Sequence, residues 1–154
     1  MISVQKPITG MESTETDTPV GALSQCYSAF NNRNLELMRR NRHQDECVLN
    51  NPQRGIRRGW NEIEPLYSRL FNGPVRVYVE YFDYTLHVGD NLCCAAGRER
   101  ETFEKGETRI DLTIRTSRIY RRADEQWKQM HHHGSIDDPA LLHSSQIAVL
   151  GGKS

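Results

Sequence analysis

SRIYRRADEQWKQMHHHGS, residues 117–135, decides the fold. Ala123-Asp124-Glu125 reads as a tight turn between two runs rich in β-branched and aromatic residues, which makes the stretch a pair of antiparallel strands. Strand alternation then divides the histidine run, with His131 and His133 on one face and His132 on the other. Three side chains divided in this way cannot converge on one metal. The pair His131 and His133 would need a further ligand, such as His87 or an acidic residue, to complete a zinc site. No metal or other cofactor is therefore expected. Three roles stay open for the histidines: an acid/base or polar group facing a pocket, packing, and an interface contact.

Upstream, VRVYVEYFDYTLHV, NLCCAAGRERETF and TRIDLTIRTSRIYRR are further β-rich runs. The connectors Gly89-Asp90-Asn91, Glu104-Lys105-Gly106-Glu107 and Ala123-Asp124-Glu125 are too short for helical crossovers, so four long strands form an antiparallel meander. Strands of this length bend or carry bulges. Before Pro74 the periodicity is helical. Thr18-Pro19 opens a helix whose apolar stripe is Val20, Leu23, Cys26, Tyr27 and Phe30. Asn34 caps a second, short helix. Cys47-Val48-Leu49 is a short strand, and Asn61 to Glu64 has a capping-box arrangement before a third helix. The class is α+β: three N-terminal helices packed on a strongly curved, mainly antiparallel sheet of one short and four long strands, enclosing a cone-shaped cavity.

Length and charge narrow the function. The 154 residues suffice for one domain, with 1–16 expected as a flexible leader, 17–140 as the domain and 141–154 as a C-terminal tail. Twenty basic and twenty acidic side chains balance, which removes any global field for steering toward nucleic acid or an anionic membrane. Arg54, Arg57 and Arg58 form a local basic cluster, but Glu62 and Glu64 follow it, and a nucleic-acid footprint needs a broader positive face. No apolar run is long enough to span a bilayer, and the N-terminus lacks the pattern of a signal peptide. A cytoplasmic location and four reduced cysteines are the expectation.

The order of elements, the Arg-Gly-Trp approach to the third helix, and the pattern Arg118, Tyr120, Trp127, His131, His133, Ser135 resemble the nuclear transport factor 2-like superfamily. The likeness is greatest to its SnoaL-like branch and to the association domain of calcium/calmodulin-dependent protein kinase II, and covers roughly residues 18–140. The resemblance implies a cystatin-like cone, a homodimer formed through the outer sheet face, and a pocket between the inner face and the first helix. Tyr27 matches the oxyanion-donating tyrosine of the ketosteroid isomerases. Their catalytic aspartate before a proline is replaced by Asn51 before Pro52, and their protonated acid has no match around Arg115, Thr116 and Ser117. Arg98 and Arg118 match pocket arginines of the kinase association domain, whereas the position of a third is Gly134, which has no side chain, so the pocket is less basic than in that relative.

A small-molecule-binding protein follows from this reading, with Tyr27, Trp60, Arg98, Arg118, Trp127, His131, His132 and His133 as ligand-binding candidates. Tyr27, His132 and His133 are the catalytic candidates. Arg98 and Arg118 would suit an anionic ligand, or could equally pair with Glu99, Glu101 or Asp111. Tyr27 and the tryptophans also fit as core residues. Two functions stay open: cofactor-free acid/base chemistry of isomerase, cyclase or dehydratase type on a carbonyl or carboxylate compound, and a non-catalytic ligand-binding or oligomerisation module.

Overall fold

A computed structural model describes residues 5–151. Residues 1–4 of the expected leader and 152–154 of the expected tail lie outside the described residues. Three helices come first: α1 (Pro19–Asn31), α2 (Leu35–Asn41) and α3 (Trp60–Asn72). Short strands β1 (Val48–Asn50) and β2 (Arg57–Arg58) lie between α2 and α3. The long strands β3 (Arg76–Val88), β4 (Leu92–Lys105), β5 (Thr108–Ala123) and β6 (Gln126–Ser135) follow, and α4 (Pro139–Leu150) ends the chain. The six strands form one sheet in the order β2-β1-β6-β5-β4-β3. All pairings are antiparallel except β1 with β6, where Leu49 stands opposite His132. The α+β class and the curved, mainly antiparallel sheet are as expected.

Local chemistry sets most boundaries. The Thr18 hydroxyl accepts from the Gly21 N–H at 3.0 Å, and the Asn34 side chain accepts from the Leu37 N–H at 3.0 Å. The start of α3 departs from the expected capping box. Gly59, with φ of +76°, occupies the cap position, while Glu62 reaches back to accept from the Arg58 N–H at 2.6 Å. Pro65 consequently lies inside α3 rather than in its first turn, where it removes one intrahelical donor. Two elements were not anticipated: β2, in what reads as a basic loop, and α4, in what reads as a tail. Asp138 caps α4 by accepting from Ala140 and Leu141 N–H, and Ser145 and Val149 are buried.

Two irregularities bend the sheet. Between Phe82 and Thr85 the β3–β4 register shifts, and Asp83 takes a left-handed conformation there. Gly97 lies against this bulge. A Cβ at Gly97 would come within 2.8 Å of both Cα and Cβ of Tyr84, so only glycine lets the bulged strand approach. The second shift is between Ile119 and Tyr120: Tyr120 pairs with Gln129 but Ile119 with His131, leaving Met130 as an extra residue in β6.

The segment before α1, read from composition as a flexible leader, makes specific contacts over its described part. Ile8 is buried and exchanges two backbone hydrogen bonds with Tyr81, at 2.8 and 2.9 Å. Asn31, at the end of α1, clamps this segment to β3. Its amide donates to Thr9 O at 2.9 Å and Val79 O at 2.8 Å, and its carbonyl accepts from Val79 N–H at 2.8 Å. Replacing Asn31 with alanine leaves these backbone groups unpaired at a part-buried seam, and a loss of about 2 kcal/mol in urea unfolding is expected. Amide exchange at Val79 should rise in the same variant.

Candidate functional site

Alternation along GRERETF sorts the charges of β4. Cys93, Ala95, Glu99, Glu101 and Phe103 are buried, whereas Arg98 and Arg100 are exposed on the outer face. Glu80 pairs with Arg100 at 2.5 Å and Asp83 with Arg98 at 3.7 Å. On β5 the even positions turn inward, which buries Arg118 completely. The Ala95–Arg118 and Glu99–Ile114 pairings place Arg118 and Glu99 on the same face, four residues apart along β4.

Buried charge requires partners, and here they form a chain. Arg118 Nη2 donates to Glu99 Oε1 at 2.8 Å, its Nη1 to Gln129 Oε1 at 2.6 Å, and its Nε to the Tyr27 hydroxyl at 3.1 Å. Tyr27 donates its own proton to Glu99 Oε1 at 3.1 Å. The Gln129 amide donates to Asn41 Oδ1 at 3.0 Å, which also accepts from the Tyr120 hydroxyl at 3.1 Å. Burial alone would lower the Arg118 pKa, but the Glu99 carboxylate paired with it outweighs burial and the guanidinium stays charged. Burial raises the Tyr27 phenol well above its ordinary range, so it is a neutral donor.

Beside this network lies a narrow cavity of about 40 Å³, room for a few waters at the roughly 10–15 Å³ each requires. Glu99, Glu101 and His132 form its polar end. Phe30, Leu66, Tyr67, Leu70, Phe103 and Ile114 supply apolar wall, and Gln53 and Val149 stand at the rim. Burial pushes the Glu101 carboxyl well above its ordinary value, reinforced by the Glu99 charge and its hydrogen bond, which favours the protonated acid. Burial, with Arg118, Arg42 and the flanking histidines, holds His132 well below its ordinary value, so it is a neutral imidazole. His132 Nε2 stands 3.8 Å from Glu99 Oε1, outside hydrogen-bond range, and neither ring nitrogen has a partner among the described residues. The Gln53 carbonyl is likewise unpartnered, its amide being used at 2.8 Å on Ser145. Arg42 touches the cavity only through Tyr67, donating to its hydroxyl at 2.9 Å with the guanidinium 5.2 Å from the ring centre.

The extra residue Met130 settles which histidine faces inward. Strict alternation would bury Trp127, Gln129, His131 and His133 together. The shift at Met130 reverses the parity, so Trp127, Gln129, His132 and Gly134 are buried while His133 is exposed and His131 half-buried. Gly134 is packed closely: a Cβ there would lie 3.1 Å from Ile114, 3.3 Å from Pro52 and 3.6 Å from His132 Nε2.

Of the sequence candidates, the fold brings Tyr27, Arg118 and His132 together. Arg98 lies on the opposite face of the sheet from Arg118, so the two form no joint grip. His131 and His133 share the outer face, with ring centres 6.5 Å apart. Trp60 and Trp127 are buried wall residues that do not line the cavity, their backbone N–H groups donating to Gln44 and Thr16. Tyr27 has both hydroxyl functions engaged within the network. No group of three His, Cys, Asp or Glu side chains is placed to hold a metal among the described residues. Sequence reasoning weighed Glu99 and Glu101 only as ion-pair partners, and it missed Gln53, Asn41 and Gln129. The burial of Cys93, Ala95 and Phe103 at odd positions would have assigned Glu99 and Glu101 to the inner face.

The SnoaL-like domain family model matches residues 21–139. No curated protein matches. Among solved structures, a candidate dehydratase of the nuclear transport factor 2-like family from Streptomyces avermitilis is 13% identical, covers 75% of this chain and 90% of its own, and has a TM-score of 0.69. A nuclear transport factor 2-like superfamily protein from Salmonella enterica is 17% identical, with 76% and 87% covered and a TM-score of 0.68. The hub homology domain of the calmodulin-dependent kinase from Chlamydomonas reinhardtii is 13% identical, with 77% and 95% covered and a TM-score of 0.64.

Proposed function

Because the chain belongs to the SnoaL-like domain family, we propose that it binds a small carbonyl compound in the cavity and performs cofactor-free acid/base chemistry on it, of isomerase, cyclase or dehydratase type. The observation that carries this reading is His132: a buried, neutral imidazole with both ring nitrogens unpartnered, opening on the same cavity as the protonated Glu101. Leaving such a group unsatisfied costs about 1–3 kcal/mol, which a ligand oxygen would recover. In this mechanism His132 accepts a proton from the carbon next to the carbonyl. The Glu101 carboxyl stabilises the negative charge that develops on the oxygen, and either carbon or oxygen is then reprotonated. Tyr27, Arg118 and Glu99 hold Glu101 and the cavity floor in place. Of these three only Glu99 lines the cavity, while Tyr27 and Arg118 act through it. An uncharged substrate suits this site better than a carboxylate, since Arg118 is already paired with Glu99 and Arg42 does not line the cavity.

Solvent-deuterium incorporation beside the carbonyl of butanone and cyclohexanone, followed by proton NMR, tests the proposal. Catalysed exchange is expected from the natural protein, with a loss of about 100-fold in His132→Phe. Exchange that is equal in the two proteins would overturn the assignment of His132 as the base.

A second reading, a non-catalytic binding or assembly module, is favoured by one observation: Tyr27, Glu99, Arg118 and Gln129 satisfy one another. It predicts ligand binding without deuterium exchange. Both readings include a homodimer through the outer sheet face, for which sedimentation equilibrium should give twice the chain mass. A cytoplasmic setting belongs to the same proposal and is supported by four unpaired thiols, three of them buried. No helix among the described residues is long and apolar enough to cross a membrane.

A further inference from the structure

We propose, resting on the reading above, that the ligand is an uncharged carbonyl compound bearing an extended apolar chain, with its oxygen at Glu101, the neighbouring carbon at His132 and its chain running beneath α4 into a second, outer cleft. The inner cavity accommodates only a head group. The outer cleft holds about 550 Å³, within the roughly 300–1,000 Å³ of small-molecule sites. Leu70 from α3, Phe103 from β4 and Val149 from α4 line both spaces, so the wall between them consists of apolar side chains. The proposal requires only that Val149 or Phe103 turn aside to join the two spaces. Beyond this wall Val75, Ile110 and Ile147 continue the apolar lining, and Arg69, Glu104 and Lys105 also border the cleft.

The character of α4 supports the same assignment. Its twelve residues, PALLHSSQIAVL, contain no Asp, Glu, Lys or Arg, whereas a surface helix ordinarily has a charged outer face. It is tied to the cavity rim by polar contacts, Gln53 to Ser145 at 2.8 Å and Gln146 to Pro52 O at 2.9 Å. The residues flanking these contacts, Ser144, Ile147, Ala148 and Val149, line the outer cleft, with Ile147 44% exposed. A charge-free helix held to the rim and lining the cleft supplies a wall for an apolar chain.

Calorimetric titration of the full chain with straight-chain 2-alkanones from butanone to 2-undecanone, and with the matching n-alkanoates, tests this. Once the chain passes the wall, affinity for the ketones should rise about fourfold per methylene and level off when the cleft is filled. The alkanoates should bind at least tenfold more weakly. Ile147→Glu, at an exposed position of the outer cleft and away from the inner cavity, should retain butanone and abolish the gain with length. Butanone binding with no gain along the series would overturn the outer cleft and leave the His132 reading standing. A gain with length that is unchanged in His132→Phe would support the cleft and overturn the head-group assignment. Failure of every member to bind overturns both.

Discussion

Replacing Arg118 with methionine is expected to lower the free energy of urea unfolding by about 3–5 kcal/mol, the largest stability effect of any single substitution in the network. The side chain is fully buried and divides three donors among Glu99, Gln129 and Tyr27. Methionine fills most of the space but leaves the buried Glu99 carboxylate without a cation. Desolvation of that carboxylate dominates the cost, because the Coulombic gain of a buried pair roughly cancels its own desolvation. The double replacement Arg118→Met with Glu99→Leu should therefore be less destabilised than Arg118→Met alone, even though it removes more hydrogen bonds. A loss below about 1 kcal/mol for the single variant, or additive losses in the double, would show that the pair is not the electrostatic anchor described above.

The second large effect is on pH dependence, where Glu101 and His132 act in opposite directions. Glu101 has its folded pKa raised above the ordinary 4.5. Its contribution is complete below that value and is lost as pH rises toward the folded pKa, because only the unfolded chain releases the proton. His132 has its folded pKa lowered below the ordinary 6.5. Below pH 6.5 the unfolded chain takes up a proton that the folded chain refuses, so stability falls as the pH is lowered. The half-buried His131, also shifted downward, adds to that acid-side loss. Above pH 6.5 only the Glu101 slope remains, at most about 1.4 kcal/mol per pH unit. Above pH 6.5 the natural protein should therefore lose stability relative to Glu101→Gln for as long as the folded acid holds its proton. Urea titrations at several pH values measure the difference directly. A constant offset between the two proteins across that window would mean that Glu101 ionises normally.

The strands were legible because their spacing and turn residues are local properties. The ends of β3 to β6 lie within about two residues of the sequence reading, and the caps at Thr18 and Asn34 follow from single side chains. The site was harder to read because it depends on parity. One unpaired residue, Met130, exchanges the inward set of β6, and no local propensity marks it. That exchange separates His132 from its neighbours and decides between the two faces the sequence left open. Arg98 was assigned to the pocket by analogy, whereas the parity of its own strand places it outside. The C-terminal helix escaped notice because PALLHSSQIAVL lacks the polar face by which a surface helix is recognised. That same absence now bears on what the helix covers.

The parallel rung between Val48–Asn50 and His131–His133 also has a kinetic consequence. It joins segments from opposite ends of the chain, so its loop-closure entropy is lost last, after the meander from β3 to β6 has formed through adjacent hairpins. Three residues of β1 return little for that cost, and they are followed at once by Pro52 and Gln53 at the cavity rim. The rim should then be the first part of the sheet to open and the last to close, and the β1 amides should exchange faster than those of β4 and β5. Fraying of one short edge would admit solvent and ligand to His132 while the rest of the fold stays shut.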